Sequence, residues 1–157
     1  MFVFSTRKSP RLKDFDYSMP MAYFITICTH EKVCLFGSPE HLNHLGQIAD
    51  RCVQQIPVHY QCVTVEKYVI MPNHVHMLLF IDSSKIPPEH ASPNITSIVG
   101  KYKAAVSREI HHIDPAIQVW QRSFHDHIPR NQKALEEIWH YIDDNPRKWD
   151  LDRFYRD

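Results

Sequence analysis

Several classes of protein are excluded by what this sequence lacks. Its 18 Lys and Arg are matched by 18 Asp and Glu, so no global charge excess announces a nucleic-acid binder. No apolar run is long enough to span a bilayer. The first residues, Met1 to Lys8, lack a charged lead followed by a long apolar core, so no signal peptide is expected. The four cysteines, Cys28, Cys34, Cys52 and Cys62, form no Cys-x-x-Cys pair and are expected to be reduced, mostly buried thiols in a cytoplasmic protein. There is no internal repeat and no low-complexity segment.

The 157 residues, 43% hydrophobic and 23% charged, suit one globular domain over residues 1–157 with a real core. Charge is uneven locally. Arg7, Lys8, Arg11 and Lys13 make a basic arm within residues 1–20. Lys101, Lys103 and Arg108 cluster on one predicted helix, and Arg122 and Arg130 flank an aromatic segment. Such patches are compatible with phosphate contacts, although most charge clusters are simply solvated.

The most informative stretch runs from Tyr68 to Ile81. It reads as two strands broken at Pro72-Asn73, a turn-forming pair. Side chains alternate along a strand, so His74 and His76 point the same way while Val75 packs behind. Two imidazoles on a stiff strand are half of a metal site. A bare His-x-His is more often a pair of histidines on a wet sheet face, so the rest of the chain has to decide.

The other elements follow from periodicity and caps. Residues 22–29 are a strand of β-branched and aromatic residues. Asn43 caps a helix over 44–58, which Pro57 is expected to end. Strands cover 62–70 and 74–81, and a Pro-rich surface loop covers 82–93. A helix over 94–112 has the apolar stripe Ile95, Ile98, Val99, Tyr102, Val106 and Ile113. Residues 119–128 are a short strand or ordered loop. A last helix starts near Asn131 and stops at or before Asn145, because Pro146 disfavours helical geometry in its predecessor. Its stripe is Leu135, Ile138, Trp139 and Ile142. In the tail, Trp149 and Phe154 are the expected anchors. This order suits a ferredoxin-like α+β sandwich, an antiparallel sheet with helices on one face and the other face left for a site.

On the last helix Tyr141 and Asn145 stand four apart, hence on one side. With His74 and His76 they make a coherent device. Two imidazoles and an amide oxygen could hold a divalent cation, Mn²⁺ by donor type or Mg²⁺ by abundance. Tyr141 could then attack a phosphodiester and form a covalent phosphotyrosine. Rival residues have plainer readings. Tyr102 lies in an apolar stripe, and Tyr60 and Tyr68 are packing residues. His125-Asp126-His127 is a second His-x-His whose rings could contact phosphate or, less favoured because it lacks a flanking apolar strand, a metal. Trp120 and Phe124 could stack on unpaired bases or belong to the core.

Five segments together resemble the REP-associated tyrosine transposases, of the single-tyrosine HUH superfamily. They are Ser9-Pro10-Arg11-Leu12-Lys13 with Asp16-Tyr17; Ala22 to Thr29; Val69 to His76; Val119 to His127; and Tyr141-Ile142-Asp143-Asp144-Asn145-Pro146, similar to the family's Tyr-Ile-x-x-Asn-Pro motif. The resemblance covers nearly the whole chain. It implies His74 and His76 as metal ligands, Tyr141 as nucleophile and Asn145 as a polar third ligand. It also implies cleavage of single-stranded DNA at palindromic hairpins through a 5′-phosphotyrosine. Arg11, Lys13, Lys101, Lys103, Arg108, Trp120, Arg122, Phe124 and Arg130 are then the expected DNA contacts. A monomer is favoured over a homodimer, and no membrane partner is expected. Two other readings are a binding module that has lost catalysis and a metal-dependent hydrolase that uses water.

Overall fold

A computed structural model describes residues 11–156. The first ten residues of the expected basic arm lie outside that range. In chain order the main elements are β1 (Ala22–Cys28), α1 (His44–His59), β2 (Val63–Met71), β3 (His74–Ile81), α2 (Ile95–Ile113), β4 (His125–His127) and α3 (Gln132–Asp144). A 3-10 segment, Asn145–Leu151, follows. The sheet order is β2-β3-β1-β4, and every pairing is antiparallel. This is the expected ferredoxin-like α+β arrangement.

Each long helix begins at an asparagine for one physical reason. The side chains of Asn43, Asn94 and Asn131 accept hydrogen bonds from the backbone N–H groups of Gly46, Thr96 and Ala134 at 2.8–2.9 Å. Each satisfies a donor the helix cannot, worth about 1 kcal/mol. Pro57 does not end α1. It sits in the last turn, and the helix closes beyond it where Tyr60 N–H donates to Ile56 O.

Strand alternation divides the sheet into two faces. Tyr23, Ile25 and Ile27 of β1 and Val75, Met77, Leu79 and Ile81 of β3 pack with α1 and α2 in the main core. In β2 the alternation is reset by a bulge between Val65 and Lys67. Val63 and Val65 before it, and Tyr68 and Ile70 after it, therefore all face that core.

The other face is covered, not left open. Phe24 and Leu78 pack there against Ile138 and Ile142 of α3, while Lys67 pairs with Asp143 at 2.8 Å. Two stripe assignments fail at their edges. Ile113, in the last turn of α2, is 52% exposed, and Trp139 is 39% exposed. Trp139 lies instead under Lys67 Nζ, 4.8 Å from the ring centre. All four cysteines are free thiols, with Cys28 and Cys52 buried and Cys34 exposed.

Candidate active site

The Pro72-Asn73 turn joins β2 to β3 directly, with Met71 opposite His74, and it is held inside the protein. Phe36 N–H donates to Pro72 O and Thr29 N–H to Asn73 O. Asn73 is fully buried. Its Nδ2 donates to the carbonyls of Lys32 and Phe154 at 3.1 and 2.7 Å. That fixes the amide so that its Oδ1 faces His74 Nδ1 at 2.8 Å. Nδ1 of His74 therefore carries the hydrogen, and Nε2 keeps its lone pair.

His76 is oriented from β1, its Nδ1 lying 2.8 Å from Thr26 Oγ1. The two imidazoles share the α3 face with centroids 4.5 Å apart. Both are 0% exposed, so they are not a pair on a wet sheet face. Burial, the leading cause for each, lowers both pKa values, and for His76 the neighbouring His74 adds to this. Both rings are held neutral, the state a metal requires of imidazole.

α3 brings Tyr141 over this pair. Its ring is edge-on to His76 at 5.2 Å and to Phe24 at 6.1 Å. Burial, then the charge of Asp152, pushes the phenol up to about 12, and Asn145 opposes the shift. Asn145 is buried at the junction of α3 and the 3-10 segment, in right-handed helical geometry despite Pro146 after it. Its Nδ2 donates to Asp152 Oδ2 at 2.9 Å. Among the described residues its Oδ1 and His74 Nε2 are buried without a hydrogen bond of ordinary geometry. The Asn145 side chain opposes the effect of burial on both the His74 ring and the Tyr141 hydroxyl. The four expected residues thus converge.

The tail contributes what sequence reasoning missed. Asp152 lies with Oδ2 3.7 Å from His74 Nε2, and one donor atom each from His74, His76 and Asp152 lie within 4.8 Å of one another. A buried set of two neutral imidazoles, a carboxylate and an amide oxygen fits a divalent cation. Phe154, expected only as an anchor, packs tilted against His74 with ring centroids 4.7 Å apart. Lys32 Nζ and Arg153 Cζ lie 5.3 and 5.0 Å from the centre of the Phe154 ring. These two cations border the site, and no pattern in the sequence singled them out.

The expected DNA contacts separate into groups. Lys13, Arg122 and Arg130 are solvent-exposed. Arg11 is an internal ligand of the fold: its Nη1 is 2.6 Å from Asp126 Oδ1, its Nη2 donates to Phe124 O at 2.7 Å, and its guanidinium covers the Phe124 ring. Lys103 Nζ donates to the carbonyls of Gln121 and Ser123 at 2.8 and 2.9 Å. Phe124 is buried in the main core, and Trp120 packs against that core, its indole N–H donating to Lys103 O at 3.1 Å.

Lys101 and Arg108 line a groove of about 600 Å³ between α1 and α2, on the side of the sheet away from the histidines. Tyr102 is a core residue, its hydroxyl donating to Ala49 O at 3.2 Å. His125 and His127 stand opposite Thr26 and Phe24 in β1. They share the site's face at the sheet edge, whereas Asp126 turns inward to Arg11 and Tyr17.

Comparison with known proteins agrees with this fold. A Haemophilus influenzae protein of uncharacterised function is 35% identical over 96% of this chain and 94% of its own length. Among solved structures, a REP-associated tyrosine transposase bound to a REP hairpin superposes with a TM-score of 0.63. The match covers 88% of this chain and 74% of that one at 18% identity, so the likeness is one of fold. The family model for the IS200-like transposases matches residues 19–145, from just before β1 through Asn145, and the chain belongs to that family.

Proposed function

We propose that this protein is a metal-dependent single-stranded DNA endonuclease and strand transferase of the REP-associated kind. It acts at palindromic hairpins through a 5′-phosphotyrosine intermediate. The observation that carries the reading is the seat of Tyr141, edge-on to His76 at 5.2 Å beside a buried set of metal-type donors. A tyrosine retained only for packing has no need of two buried imidazoles beside it, one of them held by Asn73 with its Nε2 lone pair free.

His74 and His76 would hold the cation through Nε2, with Asn145 Oδ1 beside them. When bound, a divalent ion such as Mn²⁺ or Mg²⁺ polarises a phosphodiester and stabilises nearby negative charge. Tyr141 then gives up its proton and its oxygen bonds to phosphorus. The bond from phosphorus to the 3′ oxygen breaks, leaving a free 3′-hydroxyl and a 5′-phosphate on tyrosine. Attack by a 3′-hydroxyl reverses the step and rejoins or transfers the strand without a nucleotide cofactor. Lys32 and Arg153 at the rim, with Lys13, Arg122 and Arg130 on the surface, are suited to phosphates. Lys101 and Arg108 serve only DNA that reaches the helical side. The hairpin substrate is supported by the fold shared with a transposase solved on a REP hairpin.

The test is a denaturing gel of protein incubated with labelled palindromic single strands and Mn²⁺ or Mg²⁺. Wild type is run beside Tyr141→Phe and Tyr102→Phe. A metal-dependent covalent band lost only in Tyr141→Phe is the expected result. Cleavage without an adduct in every lane identifies a water nucleophile. Binding without cleavage identifies a module that has lost catalysis.

A further inference from the structure

Asp152 occupies a place its hydrogen bonds do not explain. It follows the 3-10 segment, and its carboxylate is 0% exposed. Among the described residues its hydrogen-bond donors are two neutral amides, Asn145 Nδ2 to Oδ2 at 2.9 Å and the Phe154 N–H to Oδ1 at 2.7 Å. Burying a carboxylate against neutral donors is unfavourable unless a positive charge joins it.

The distance to His74 is equally specific. At 3.7 Å the Oδ2–Nε2 separation exceeds an N–H···O bond of about 2.7–3.2 Å. Neighbouring donors that share one ion at about 2.0–2.2 Å lie about 3–3.5 Å apart. The gap is therefore too wide for a hydrogen bond and close to the span of a shared ion. Asp152 Oδ2 also accepts from Asn145 Nδ2, which leaves Asn145 Oδ1 as the atom directed elsewhere.

We propose that Asp152 is itself a ligand of the cation, so that the site is two imidazoles, one carboxylate and an amide oxygen. Metal binding then fastens residues 145–154 onto the sheet. The proposal rests on the metal reading given above. It adds a ligand from a segment beyond the family match, which ends at residue 145. The carboxylate has two tasks: it supplies charge to the ion, and it holds the Asn145 amide in register. Ion occupancy and seating of the tail thus become one equilibrium.

Mn²⁺ binding to the full chain is measured by loss of the free-ion EPR signal. Wild type is compared with Asp152→Asn, Asp152→Glu and the double variant His74→Ala/His76→Ala. Hydrogen exchange of residues 145–156 is followed with and without Mn²⁺. Asparagine loses the charge and keeps one acceptor oxygen, for either the Phe154 N–H or Asn145 Nδ2, whereas glutamate keeps the charge and both oxygens. We expect Asp152→Asn to bind Mn²⁺ at least tenfold more weakly and to lose the Mn²⁺-dependent protection of the tail, with Asp152→Glu lying nearer to wild type.

Binding in Asp152→Asn equal to wild type, with the double histidine variant silent, overturns the role of Asp152 and leaves the two-histidine site standing. Equal weakening in the Asn and Glu variants also overturns it, because damage to the tail would then explain both. No Mn²⁺ binding by wild type overturns the metal reading and this proposal together.

Discussion

His76 of β3 and Tyr141 of α3 meet edge to face with ring centres 5.2 Å apart, and Phe24 of β1 completes the group by stacking on His76 at 5.3 Å. Three elements thus place one aromatic hydroxyl beside one candidate ligand. The contact depends on α3 crossing the sheet face opposite α1 and α2. Ile138 and Ile142 set that crossing by packing on Phe24 and Leu78.

Phe154 closes this group from outside. It is 1% exposed and packs tilted against His74. Phe154→Ala should destabilise the protein by about 3 kcal/mol, from lost burial and the cavity left behind. It should also expose the imidazoles. Modification by diethylpyrocarbonate, followed by peptide mapping, should show His74 and His76 reacting at least several-fold faster than in wild type. Unchanged rates would mean that the remaining tail residues suffice to close the site.

The Arg11–Asp126–Tyr17 cluster ties the start of the described chain to the edge strand β4. Asp126 is 5% exposed and accepts from Arg11 at 2.6 Å and Tyr17 at 2.9 Å. Asp126→Ala leaves a guanidinium and a hydroxyl without their shared acceptor. About 3 kcal/mol should be lost in urea unfolding, and Asp126→Asn should lose less, since it can still accept one hydrogen bond. Loss below about 0.5 kcal/mol in the Ala variant would mean that water replaces the carboxylate.

Lys32 and Arg153 border the histidine pair, whereas Lys101 and Arg108 line the groove on the opposite side. In fluorescence anisotropy with a single-stranded hairpin, Lys32→Ala/Arg153→Ala should weaken binding more than Lys101→Ala/Arg108→Ala. For each phosphate contact removed, the slope of log affinity against log salt should become shallower by about 0.7. The reverse ranking would place the DNA on the helical side.

Local rules in the sequence reach as far as local physics does. The hairpin, the Asn43 cap and the shared side of Tyr141 and Asn145 are decided within a few residues and were legible. Periodicity names the face of a helix but not what covers it, so Trp139 was grouped with Ile138 although it lies at the rim. The same limit hid which side of the sheet Lys101 and Arg108 occupy. Glu66-Lys67 interrupts the alternation of β2, and that double polar step was the available sign of the bulge. Asp152 and Arg153 had no such sign. They sit in a short polar tail without periodicity, and only tertiary packing brings them to the histidines.

The origin of the site in distant parts of the chain also has a consequence for synthesis. Translation delivers β3 with its histidines well before α3 and residues 145–154, and N-terminal regions can begin folding first. A nascent chain therefore carries the imidazoles for a time with neither the tyrosine nor the aspartate beside them. Order of manufacture makes the candidate site the last part to mature. A product cut short before Tyr141 retains the histidine pair but lacks the proposed nucleophile.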